Sequence, residues 1–142
     1  MNKIIIVDDH YFFREGIKQL IKNENLGEVI GEVENGYAFL SLLKTRIPDL
    51  VIMDVEMPVM GCLEAIRKSL KIKHDLKILV LTMKSERSNC LELIRAGAMG
   101  IILKTSSKNE FEKAIKAIAK DDNYFSQELI PLLVSKLKVQ SF

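Results

Sequence analysis

Four short apolar runs, each stopped by a polar side chain, constrain this chain more than any other feature. Ile4-Ile5-Ile6-Val7 stops at Asp8-Asp9, Leu50-Val51-Ile52-Met53 at Asp54, Ile78-Leu79-Val80-Leu81 at Thr82, and Ile101-Ile102-Leu103 at Lys104. None of the runs has a helical or an alternating period. A strand covered on both faces reads this way, above all in a parallel sheet. A charged residue at the end of such a run is not filling a core, because the strand delivers it to a loop. If the strands are parallel, their polar endings converge at one edge of the sheet, where open α/β folds place their ligands.

Segments of helical period lie between the runs. Phe13, Ile17, Leu20 and Ile21 predict a first helix from about Tyr11 to Asn23. Residues Glu28 to Val33 make a weaker strand, and Asn35-Gly36 then open a second helix through Phe39, Leu40, Leu42 and Leu43 that must end before Pro48. Leu63, Ile66 and Leu70 mark a third helix after a loop carrying Pro58 and Gly61. Leu91, Leu93 and Ile94 mark a fourth, reached through the polar loop Lys84-Ser85-Glu86-Arg87-Ser88 and closed by Gly97. Phe111, Ile115 and Ile118 mark a fifth, capped by Ser107 with Glu110 completing a capping box. Five strands alternating with five helices predict right-handed crossovers and a flavodoxin-like (βα)5 doubly wound α/β sandwich, with a five-stranded parallel sheet of order 2-1-3-4-5. That order makes Asp8, Asp9 and Asp54 neighbours. Beyond Lys120 the pattern changes. Asp121-Asp122-Asn123 reads as a turn, Tyr124-Phe125-Ser126 as extended chain, and Gln127 to Leu137 as a short amphipathic helix. Residues 1–120 therefore read as one domain and 121–142 as a linker or docking segment.

Composition narrows the class. At 142 residues the chain is one domain of ordinary size, able to bury roughly two-thirds of its unfolded surface. No apolar stretch approaches the roughly 18 uncharged residues of a membrane span, and Met1-Asn2-Lys3 runs into a strand without a signal-peptide pattern. The expectation is a cytoplasmic protein with no membrane partner. A net charge of +2 with scattered lysines gives no footprint for nucleic acid on this chain itself. Cys62 and Cys90 have no metal-ligand spacing and read as inert thiols.

The strand ends carry the chemistry. Three carboxylates at adjacent strand ends repel one another, so that without a cation at least one has a raised pKa. A hard divalent ion resolves the conflict, and Mg²⁺ takes near-octahedral oxygen ligands of this kind while keeping several waters. Lys104 adds a mobile positive charge and Thr82 a hydroxyl. Together they describe a pocket for a phosphoryl group carried on one carboxylate, with Asp54 as the nucleophile. Taken singly, each residue has a plainer reading: Asp8-Asp9 as a helix cap, Asp54 as a loop carboxylate, Lys104 as a solvated lysine, Thr82 as the end of a strand. Their joint placement, each closing its own strand, outweighs those readings. His10 reads as a local hydrogen-bonding residue, His74 as exposed, and Met53, Met57, Met60, Met83 and Met99 as packing.

Read as motifs, Ile6-Val7-Asp8-Asp9-His10, Asp54-Val55-Glu56-Met57-Pro58, Leu81-Thr82-Met83 and Gly97-Ala98-Met99-Gly100-Ile101-Ile102-Leu103-Lys104 resemble the receiver domain of bacterial two-component response regulators. The Asp-Asp-His opening, the Thr-Met pair and the tail with Tyr124-Phe125-Ser126 are most similar to the NarL/FixJ (LuxR-type) subfamily. The likeness covers about residues 3–120 and continues through the linker.

The resemblance implies that Asp54 accepts a phosphoryl group from a sensor histidine kinase. It implies that Asp9 and Asp54, with the main-chain carbonyl of Glu56, bind Mg²⁺, and that Asp8 contributes through water. Thr82 would turn its hydroxyl to a phosphoryl oxygen, Lys104 would pair with it, and the surface of the fourth helix, fifth strand and fifth helix would be remodelled. Such a protein is a phosphoacceptor switch that promotes its own phosphorylation and dephosphorylation, not an enzyme acting on a metabolite. Members of the subfamily carry a helix-turn-helix output domain after the linker. DNA contact and transcriptional control would thus belong to a domain outside this chain. Pairing of receivers after phosphorylation is also implied, with the apolar faces of the first and last helices as candidate surfaces. The chain departs from the family pattern in two places: Gly61-Cys62 replaces the usual Asp-Gly or Asn-Gly, and Ile101 stands where an aromatic residue or a histidine often swings with the threonine. Glu56 and Lys84, each two residues beyond Asp54 and Thr82, are expected to pair across the mouth of the pocket and obstruct a hydrolytic water. Two other readings stay open: a stand-alone receiver acting by protein binding, and an aspartate-dependent phosphatase.

Overall fold

The computed structural model describes residues 2–83 and 89–140. Each apolar run forms a strand, because large side chains on both faces are stable only when both faces are covered. The strands are β1 (Lys3–Val7), β2 (Glu28–Val33), β3 (Leu50–Asp54), β4 (Lys77–Thr82), β5 (Gly100–Leu103) and β6 (Tyr124–Phe125). The helices are α1 (Tyr11–Asn23), α2 (Gly36–Leu43), α3 (Cys62–Ile72), α4 (Cys90–Ala96), α5 (Lys108–Ala119) and α6 (Ile130–Gln140). Every strand pairing is parallel, in the order β2-β1-β3-β4-β5-β6.

The doubly wound order expected from the sequence is present, but the sheet has six strands rather than five. Tyr124-Phe125, expected as linker, pairs with Gly100-Ile101 of β5. The physical reason is the edge. Without it β5 would leave a row of peptide groups unpaired, and Tyr124 and Ser126 instead donate their backbone N–H groups to the carbonyls of Met99 and Ile101 at 3.3 and 3.0 Å.

Successive side chains on a strand point to opposite faces, and this sorts the core into two halves. Ile5, Val7, Val51, Met53, Ile78, Val80, Ile101 and Leu103 face α2, α3 and α4, whereas Ile4, Ile6, Leu50, Ile52, Leu79, Leu81 and Ile102 face α1 and α5. The apolar positions of α1 and α5, Ile17, Leu20, Ile21, Phe111, Ala114, Ile115 and Ile118, are buried in that second half. Those faces are consumed by the sheet, so any pairing of copies through α1 and α5 must use other residues of these helices.

The helix boundaries follow local chemistry. Asn35 Oδ1 accepts from the backbone N–H of Ala38 at 2.8 Å and opens α2. Gly97, at φ 126°, closes α4, and a side chain there would collide with Leu70. Ser107 Oγ accepts from the N–H of Glu110 at 3.2 Å, as a cap should. Glu110, however, sends its carboxylate elsewhere: Oε1 accepts from Ser106 Oγ and from Ser126 Oγ, both at 2.6 Å. Ser126 is fully buried, and its Oγ also accepts from the N–H of Leu103 at 3.1 Å. A single serine therefore ties α5, β5 and the tail together, and Leu129 and Leu133 then enter the core beside α4.

The bond geometry of Ser126 makes a prediction. Ser126→Ala leaves the buried Leu103 N–H without its acceptor and should cost about 1–3 kcal/mol in urea denaturation followed by far-ultraviolet circular dichroism. A second prediction concerns the thiols. Cys62 and Cys90 are buried, and burial, with the Asp54 charge adding to it, pushes the Cys62 thiol up to about 12. Neither thiol should react with a chromogenic disulfide reagent in the native protein, and both should react once it is denatured.

Candidate functional site

The site sits at the C-terminal edge of the sheet because β1, β3, β4 and β5 all end there. In the pairing of β3 with β4, Asp54 lies opposite Leu81, and in that of β4 with β5, Thr82 lies opposite Leu103. Two backbone bonds continue the ladder past the strands, from Val55 N–H to the Leu81 carbonyl and from Lys104 N–H to the Thr82 carbonyl, both at 2.8 Å. The edge is thus held by backbone hydrogen bonds, and side chains attached to it have little room to drift.

Lys104 is the hub. Its Nζ lies 2.8 Å from Asp8 Oδ2, 3.1 Å from Asp54 Oδ2 and 2.9 Å from His10 Nδ1, and stands 4.5 Å above the centre of the Phe13 ring. Asp8 and Asp54 are each only 1% exposed, whereas Asp9 lies open at the surface. Asp8 Oδ1 accepts from the backbone N–H of His10 at 2.8 Å, and the His10 ring packs on the same cluster with Nδ1 3.1 Å from Asp9 Oδ1. Burial, and next to it the Asp8 charge, raises the Asp54 carboxyl above the usual carboxylate range despite the lysine. Burial works against the Lys104 ammonium, yet its bonds to Asp8 and Asp54 outweigh it and hold that group above its ordinary value. Two buried carboxylates thus share one ammonium: Lys104 gains from both, while burial and the Asp8 charge disfavour the ionised form of Asp54.

Ligand atoms of Asp8, Asp9, His10 and Asp54 all lie within 4.8 Å of one another. Hard oxygen donors dominate the set, and the charge left uncompensated by Lys104 is negative, so these residues fit a hard divalent cation. In front of them opens a hollow of about 420 Å³ lined by His10, Phe13, Asp54, Glu56, Met83 and Lys104.

The structure brings Asp8, Asp9, Asp54 and Lys104 into one cluster. Thr82 is at the same edge but fully buried, and its hydroxyl is turned away, donating to the Met83 carbonyl at 3.2 Å. Glu56 is on the rim, its backbone N–H directed to Asp54 Oδ1 at 3.4 Å. Lys84, expected to face Glu56, lies with the rest of 84–88 outside the described residues. Gly61 stands at the N-cap of α3 and leaves open space around it, while the sharp turn of the loop falls on the exposed Val59, at φ 69°. His74 is exposed, as expected.

Sequence reasoning missed two members of the site. Phe13, an apolar position of the first helix, packs against the core as its spacing implies, but it also supports the ammonium of Lys104. Arg14 went unnoticed, although a charged residue three and seven positions before Ile17 and Ile21 falls on the buried stripe of its helix. That clash of charge and face was the available signal.

Comparison with known proteins agrees with this geometry. The response regulator receiver domain family matches residues 4–116. The transcriptional regulatory protein YdfI of Bacillus subtilis is 45% identical over 119 residues, which cover 83% of this chain and 55% of YdfI. The chain therefore spans little more than half the length of that relative. A LuxR-family two-component response regulator from an Aurantimonas species superposes with a TM-score of 0.88 at 29% identity, covering 96% of this chain and 97% of its own. The isolated receiver domain of RcsB from Salmonella enterica serovar Typhimurium, solved with a beryllofluoride phosphomimetic, gives 0.84 at 25% identity, covering 93% and 98%. With the parallel sheet, the acidic edge and these matches together, the chain belongs to the response regulator receiver domain family.

Proposed function

We propose that this chain is the phosphoacceptor module of a transcriptional regulator and that a sensor histidine kinase phosphorylates it on Asp54. The observation that supports this most is the placement of Lys104 Nζ between two buried carboxylates, 2.8 Å from Asp8 and 3.1 Å from Asp54. No core needs that arrangement, and a site that must stabilise phosphoryl charge does.

Asp9, Asp54 and the main-chain carbonyl of Glu56 would hold Mg²⁺, with Asp8 acting through water. Bound there, the ion supplies positive charge against the phosphoryl oxygens as they approach the carboxylates. In the transfer, an oxygen of Asp54 attacks the phosphorus of a phosphohistidine, the P–N bond breaks, and the freed imidazole takes up a proton. Lys104 neutralises one phosphoryl oxygen from the β5 side. Thr82 gives up the Met83 carbonyl and turns its hydroxyl inward, which loosens the start of the segment after β4 and carries the signal toward α4, β5 and α5. Ile101 is fully buried, so this coupling works without a swinging aromatic side chain at that position. DNA binding and regulation of transcription belong to an output domain outside the chain, in a cytoplasmic regulator, and phosphorylation favours pairing of two copies.

Among the described residues no helix is long and apolar enough to cross a membrane. Incubation with acetyl phosphate and Mg²⁺ should add one phosphoryl group per chain, read by intact mass, and Asp54→Asn should abolish the gain. Lys104→Ala should slow it by roughly tenfold or more. Turnover of a generic phosphomonoester would instead mark a phosphatase and overturn the proposal.

The raised Asp54 carboxyl, pushed up by burial and by the Asp8 charge, gives a second expectation, whose sign follows from linkage. An acid whose folded pKa is raised contributes full stability at low pH and loses it as pH rises through the folded value. In chelator at neutral pH, Asp54→Asn should therefore melt higher than the unsubstituted protein. The difference should vanish in acid, where Asp54 is protonated in the folded and the unfolded chain alike. A lower Tm for the variant at neutral pH would show that the Lys104 pair outweighs burial and the Asp8 charge.

A further inference from the structure

Arg14 is a buried cation lying directly under the acidic turn. Its side chain is 8% exposed, and three of its groups are committed. Nη1 donates to the Asp8 carbonyl at 2.7 Å, Nε donates to Glu32 Oε1 at 3.0 Å, and its own backbone N–H donates to the His10 carbonyl at 3.0 Å. Glu32 is itself fixed, accepting from Lys18 Nζ at 2.6 Å, and Lys18 also reaches Glu15 at 2.8 Å. Glu34 lies 3.9 Å from Nη2. The next residue of β2 grips the same turn from the other side, the Val33 carbonyl accepting from the Asp8 N–H at 3.0 Å.

The consequence is geometric. The Asp8 carbonyl belongs to the peptide that joins Asp8 to Asp9, and the plane of that peptide sets the direction in which the Asp9 side chain leaves the backbone. A flexible cation would leave this plane free to rock. A guanidinium is planar, and here two different acceptors occupy its fork, so it cannot turn without losing one of them.

We propose that Arg14 is a positioning residue for Mg²⁺: braced by Glu32, it locks the Asp8-Asp9 peptide and thereby aims the carboxylates that hold the cation. This rests on the reading of the acidic cluster as the Mg²⁺ site. Partners in the shell behind the ligands commonly govern metal affinity by ten- to a hundredfold. Simple electrostatics predicts the opposite sign, because removing a nearby positive charge should favour a divalent cation.

Calorimetric titration of Mg²⁺ into the purified chain separates the two. Arg14→Met should weaken binding by roughly tenfold or more, Arg14→Lys by less, and Glu32→Gln in the same direction. Ile21→Val trims the buried face of the same helix without touching the turn, so it should lower Tm while leaving the Mg²⁺ Kd unchanged. An Arg14→Met or Glu32→Gln protein that keeps its circular dichroism and binds Mg²⁺ as tightly as the parent, or more tightly, would overturn the proposal. Asp9→Asn tests the underlying reading separately: undiminished Mg²⁺ binding in that variant would place the cation elsewhere and overturn the site assignment itself.

Discussion

Burial of two carboxylates against one ammonium is the constraint on which the rest of this structure depends. Asp8 and Asp54 are almost completely buried and face each other across one lysine, with Asp9 just outside. Charges so arranged cost stability unless they are compensated, and a single ammonium does not fully compensate two buried acids. A fold that retains such a cluster spends part of its stability on a poised site. The same unbalance leaves a set of oxygen donors whose chemistry fits a hard divalent cation.

The remainder of the molecule acts as a frame that keeps this cluster from relaxing. Parallel pairing brings four strand ends to one edge, and backbone bonds continue across the first residues of the loops. Two layers of aliphatic side chains, one on each face of the sheet, fill the space behind. Packing of that density resists small displacements, so the carboxylates cannot separate to relieve their repulsion. Behind the acidic turn, Arg14 and Glu32 add a second, ionic brace that runs from α1 to the edge strand β2.

The tail has a similar logic. Ser126 links the N–H of Leu103 to the carboxylate of Glu110, and Leu103 immediately precedes Lys104. The ammonium of the site is thus one residue away from the anchor of β6. A change in the position of Lys104 would be felt first in β5 and next, through Ser126, in β6.

Much of this was legible in the residues. The aperiodic apolar runs determine buried parallel strands, the helical spacing of Ile17, Leu20 and Ile21 or of Phe111, Ile115 and Ile118 determines which face meets the sheet, and Asn35, Gly97 and Ser107 mark helix ends by their own local chemistry. Polar residues at strand ends then announce a site, since period and position along one strand are properties of the sequence alone. What the sequence left undecided depends on partners far away along the chain. Tyr124-Phe125 has too little pattern to declare a strand, and it becomes one only because β5 leaves an edge open. Glu110 reads as half of a capping box, but its carboxylate goes to Ser106 and Ser126, the latter 16 residues on. Arg14 and Glu32, 18 residues apart, acquire their meaning only when α1 folds back over β2. Spacing along a chain determines faces and ends; which charges meet across those faces is decided by the tertiary structure, because long side chains choose among partners that only packing brings within reach.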